Sequence, residues 1–139
     1  MLSLSTDTMK TERLTSFESA LNRLSEALKQ KPTDTNRDSA ILRFQLCFDL
    51  SLKSIKDVPK SEGVECYSPK SCLRSAFQLG LIPYDETWMA MVDDRNLVTH
   101  VYQEKLAKTL FAKLPAHLVL LLSLSAGIKT MKKQISLPG

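Results

Sequence analysis

Thr35 to Ile55 reads TNRDSAILRFQLCFDLSLKSI, and its apolar residues decide the fold. Ile41, Phe44, Phe48, Leu52 and Ile55 recur at spacings of three and four, the period of one face of an α-helix. Leu42, Leu46 and Leu50 repeat beside them, and two apolar faces predict a central helix that touches more than one partner. Asp38, Arg43, Gln45 and Asp49 interrupt it, either as edge positions or as buried polar groups that need partners.

Toward the N-terminus, Leu14, Phe17, Leu21, Leu24 and Leu28 form one stripe of a helix from about Thr11 to Gln30, and Lys31-Pro32 ends it. Residues 1–10, rich in Ser and Thr, read as a loose tail without the basic start and apolar run of a secretory signal. Toward the C-terminus, Val58-Pro59 closes the central helix and Lys60 to Tyr67 is a loop. Ser68-Pro69 is a helix start, with Leu73, Ala76, Phe77 and Leu79 following and Gly80 as the stop.

Pro83 and the acidic pair Asp85-Glu86 open a fourth helix with Trp88, Met91 and Val92 on its apolar side. A last segment from about Val101 carries Leu106, Leu110, Leu114, Leu118, Leu121, Leu122, Leu124 and Ile128, with Pro115 as a kink or new start. No stretch alternates with period two. The expected architecture is all-α, an up-and-down bundle of four to five helices in one domain over residues 11–133, with tails at 1–10 and 134–139.

The chain has 139 residues, 43% of them hydrophobic, enough for one core but not two. A net charge of +4 permits contact with a polyanion without demanding it. Cys47, Cys66 and Cys72 lack CxxC spacing, so neither a structural metal nor a disulfide framework is expected and a reducing cytoplasm is the natural compartment. Cys72 reads as a small packing residue. Leu118 to Ile128 is interrupted by Ser123, Ser125 and Gly127 and falls short of the roughly 18 apolar residues of a membrane span, so no membrane is expected as a partner.

Trp88 to Tyr102, WMAMVDDRNLVTHVY, is where groups able to do chemistry gather. Arg95 can grip two phosphate oxygens at once, and His100 can take and give a proton near neutrality. With RNA, the 2′-hydroxyl serves as nucleophile, so no enzyme nucleophile, metal or cofactor is required. On a straight α-helix Arg95 and His100 would point roughly 140° apart. Either the helix ends between them, as β-branched Val98, Thr99 and Val101 favour, or two chains each contribute one. The plainer reading pairs Arg95 with Glu86, Asp94 or another acid and leaves His117 at the surface or at a helix start.

Three blocks, RDSAILRFQLCFDLSLK from Arg37, SPKSCLRSAFQLGLI from Ser68 and WMAMVDDRNLVTHVY from Trp88, resemble in order and spacing the nucleotidyltransferase substrate-binding protein family, within the wider HEPN group of helical domains. The resemblance implies a helical bundle that forms homodimers and works with a cognate minimal nucleotidyltransferase. It implies Arg95, Asn96 and His100 as the site of a metal-independent endoribonuclease, the toxin of a toxin-antitoxin pair, with RNA as substrate. Tyr102, two residues past the His, stands where such proteins are modified with AMP by their partner. The alternative is a non-catalytic substrate-binding subunit of a two-component nucleotidyltransferase. Gln45 departs from the acidic residue expected beside Asp49, and Asp93 and Asp94 put negative charge where an RNA phosphate would approach.

Overall fold

The computed structural model describes residues 11–136. Five α-helices run as α1 (Thr11–Leu28), α2 (Asp34–Lys56), α3 (Pro69–Gln78), α4 (Thr87–Asn96) and α5 (Glu104–Ser136), with 3₁₀ turns at Lys60–Glu62 and Leu97–His100 and no strand among the described residues. The all-α expectation holds. Residues 1–10 lie outside the described part, and α5 continues past Lys133.

Helices α1, α2 and α5 pack on one another, and the short α3 and α4 close the bundle. The predicted stripe of α1 is inward, with Leu14, Phe17, Leu21 and Leu24 buried. Helix α2 is packed on two sides, but its second packed side is not the leucine row. Leu42 and Leu46 are 54% and 48% exposed, while Ala40, Cys47, Ser51 and Ser54 are buried. Small residues fill that side because they allow a neighbouring helix to approach closely. Ser51 can be there because its hydroxyl donates to the Phe48 carbonyl at 2.6 Å.

Local chemistry sets the ends of the short helices. Ser68 caps α3 in a reciprocal box with Ser71, Pro69 occupies the first turn, and Gly80 follows the helix at a φ of 74°. Asp85 accepts the Thr87 N–H at 2.8 Å, which holds its carboxyl below the usual range and starts α4. The expectation of no disulfide is corrected. Cys66 and Cys72 are bonded, because the loop folds back onto the first turns of α3, where the Glu65 N–H and C=O both hydrogen-bond to the Ser75 hydroxyl.

One continuous helix replaces the new start considered at Pro115, which sits exposed within α5. Glu104–Gln134 is long and apolar enough to cross a membrane by length and composition, which corrects the shorter apolar run read from the sequence. Its inner stripe is the bundle's own core, with Ala107, Leu110, Leu114, Leu121, Leu124 and Ile128 all buried, whereas Val119 and Leu122 on its outer side are 65% and 46% exposed.

Gly127 measures how tightly α5 is seated. A Cβ there would stand 1.8 Å from the Leu81 carbonyl oxygen, a backbone atom that cannot swing away. Replacing a helical Gly by Ala ordinarily stabilises by up to about 1 kcal/mol. Here Gly127→Ala should destabilise instead, by about 1–3 kcal/mol, read from urea unfolding. Cys47 gives a second test. Burial pushes its thiol from 9.0 up to about 12, with Arg43 pulling weakly the other way. Folding disfavours the thiolate, so this contribution to stability is complete below about pH 9 and is lost as pH rises toward 12, by up to about 1.4 kcal/mol per pH unit. Stability of Cys47→Ala should fall less steeply than wild type across that window.

Candidate functional site

Helix α4 ends at Asn96 and the chain tightens into the 3₁₀ turn Leu97–His100, as the β-branched residues predict. The Leu97 N–H reaches the carbonyls of Asp93, Asp94 and Arg95, and the Gln103 N–H donates to the His100 carbonyl at 3.0 Å. Val98, 8% exposed, anchors the turn on the core. Asn96, His100 and Tyr102 face solvent. The His100 and Tyr102 rings stand edge to face, 6.1 Å between centroids, and Tyr102 is 72% exposed.

Arg95 is held by an acid, and that acid is Asp49 of α2. The guanidinium donates through Nε to Oδ1 at 2.8 Å and through a terminal nitrogen to Oδ2 at 3.0 Å. A two-pronged pair of this kind fixes both the position and the plane of the guanidinium. Of the five N–H groups a guanidinium carries, those of the second terminal nitrogen have no partner among the described residues. Among the described residues no hydrogen bond joins Arg95 to His100 or Asn96, so within one chain the signature residues are neighbours on a turn rather than partners.

His117 is the residue that sequence reasoning misplaced. It is 2% exposed, its Nε2 lies 2.7 Å from Oδ2 of Asp94, and its ring stacks on Phe44 at 5.4 Å. Lys113 donates to the other Asp94 oxygen at 3.2 Å. Asp94, 3% exposed, therefore points into the bundle and its charge is met by α5. Only Asp93 of the acidic pair remains in solvent beside Arg95. The missed signal was periodic: 110, 114, 117, 121 and 124 is one stripe, and His117 occupies a core position of it. A recess of about 320 Å³ opens beside this cluster, lined by Asp94, Leu97, Gln103, Lys105, Leu106 and Lys113 among others. No group of three or more metal-binding side chains occurs among the described residues.

Residues 12–136 match the model of a family described as "Nucleotidyltransferase substrate binding protein like". The chain belongs to this family. It is similar to a Thermus thermophilus protein of known crystal structure, with 34% identity and a TM-score of 0.74 over 81% of this chain and 98% of that one. A Haemophilus influenzae structure, described as revealing the fold of a substrate binding domain of a nucleotidyltransferase, aligns at 25% identity and a TM-score of 0.72 over 84% of this chain and 98% of that one. A Haemophilus influenzae protein named "Probable ribonuclease HepT" is 32% identical over 91 residues, which is 62% of each chain. The family resemblance read from the three sequence blocks is thus established, and the fold neighbours share its helical architecture.

The Asp94 cluster predicts a large stability effect. Asp94→Ala leaves the buried His117 Nε2 without its hydrogen-bond partner and should cost about 1–3 kcal/mol. Chemical denaturation of the variant beside the exposed-site control Asp93→Ala, expected within about 0.5 kcal/mol of wild type, measures it.

Proposed function

We propose that the chain acts with a cognate minimal nucleotidyltransferase and is the metal-independent endoribonuclease, or toxin, of such a pair, working in the cytoplasm. The observation that carries this reading is the Arg95–Asp49 pair. It holds a guanidinium in one plane at the end of α4, with an unused N–H edge, on the turn that presents His100 and Asn96 to solvent. A phosphodiester in that place would meet positive charge from Arg95 and a proton carrier in His100. The 2′-hydroxyl gives its proton to the imidazole and attacks phosphorus. The 5′-oxygen leaves as the P–O bond breaks, taking a proton from an imidazolium, and a cyclic phosphate remains.

The reading includes a homodimer, as the family resemblance implies, with the Arg95 and His100 turns of two chains brought near one another. Tyr102 is the control point in the same reading. Its exposed ring edges His100, so an AMP group carried on its hydroxyl would stand over the imidazole and block RNA. The inward turn of Asp94 supports RNA contact, since it removes one of two negative charges from the approach.

The test is induction of the chain alone in a bacterial host beside Arg95→Ala and His100→Ala, with cellular RNA examined for new ends. Wild type should arrest growth and cleave RNA, and each variant should lose cleavage by at least about 100-fold while remaining folded. Harmless accumulation of folded wild-type protein with intact RNA would overturn the nuclease reading in favour of a non-catalytic subunit that presents substrate to the transferase.

A further inference from the structure

On another side of α2 lies a groove that the site above does not use. It opens between the C-terminal half of α1 and the N-terminal half of α2, has a volume of about 450 Å³, and is lined almost wholly by polar side chains. Arg23 and Asn22 come from α1, and Asn36, Ser39 and Arg43 from α2. Arg43 and Asp49 are six residues apart on α2, which places them about 120° apart around the helix and about 9 Å apart along it. The groove and the Arg95 site are therefore separate surfaces.

The arginines are the informative residues. Arg13, Arg37 and Arg95 each have a carboxylate within ion-pair distance. Among the described residues Arg23, Arg43 and Arg74 have none, and the first two line this one groove. Glu26, the single acid in the lining, is already paired with Lys29 at 2.9 Å. Arg43 is half-buried, so its charge is partly withdrawn from water without a protein anion in exchange. Two unneutralised guanidinium groups beside one recess repel each other, and an anion between them reverses the sign of that interaction.

We infer that the α1–α2 groove binds a phosphate group, with Arg23 and Arg43 supplying charge and paired N–H donors and Asn22 and Ser39 supplying neutral hydrogen bonds, while the Asn36 amide donates to the Lys31 carbonyl at 2.8 Å. Two guanidinium forks use more than the two oxygens of a carboxylate, whereas a phosphate monoester offers three terminal oxygens and inorganic phosphate four. The phosphate can belong to a free organic phosphate or to the terminal phosphate of an RNA strand. Neither source needs a catalytic role for Arg95, so the groove stands apart from the nuclease reading.

The experiment is calorimetric titration of the full chain at low salt with inorganic phosphate, adenosine 5′-monophosphate and a short single-stranded oligoribonucleotide bearing a 5′-phosphate. Wild type should bind with saturation, Arg23→Gln and Arg43→Gln should each weaken binding by about tenfold, and the exposed Arg74→Gln on α3 should leave it within about twofold. Tighter binding of the oligonucleotide than of the mononucleotide identifies a strand as the source, and equal binding identifies a free organic phosphate. Absence of saturable binding, unchanged affinity in both groove variants, or equal loss in Arg74→Gln overturns the inference. Arg23 is exposed and keeps the test decisive should Arg43→Gln fail to fold.

Discussion

The last turn of α4 is held from both sides by two adjacent residues of opposite charge. Asp94 reaches inward to His117 and Lys113 of α5, and Arg95 reaches across to Asp49 of α2. Successive helical residues point about 100° apart, so this adjacent pair can engage two neighbouring helices from one turn. The exposed groups that follow, Asn96, His100 and Tyr102, inherit their place from that double attachment. A ten-residue helix has little stability of its own in water, and tertiary pairing fixes it.

Much of the architecture was legible because burial writes a period into the sequence. The stripes of α1 and α5, the Ser68-Pro69 start, the Gly80 stop and the end of α4 before Val98 all follow from local rules. The second face of α2 does not. Leu42, Leu46 and Leu50 read as a packed row, yet only Leu50 of them packs against the core, and Ala40, Cys47, Ser51 and Ser54 are the buried residues beside Phe44. Hydropathy ranks leucine above serine, whereas close helix approach selects size, and size carries no periodic hydrophobic signal. The disulfide escapes notice for a related reason. Six residues separate Cys66 from Cys72, and only the fold-back of a loop brings them together.

For the candidate site, sequence located the residues and left their partners open. Asp49 lies 46 positions from Arg95, and no local pattern pairs them. His117 was the more avoidable error, since it continues the leucine stripe of α5 and a polar residue in such a stripe requires a buried counterpart. Asp94 is that counterpart. Its inward turn leaves only Asp93 of the Asp93-Asp94 pair in solvent.

The polar attachments have a consequence for the order in which the chain assembles. Helices α1 and α2 are sequence neighbours and can meet early, since closing a short loop costs little entropy. The contacts from Asp49 to Arg95 and from Asp94 to His117 span 46 and 23 residues and join three different helices. The first needs α4 against α2, and the second needs α5 in place as well. The turn that carries His100 thus depends on contacts distant in sequence, and a chain emerging N-terminus first has its α1–α2 hairpin complete before the residues that hold that turn exist.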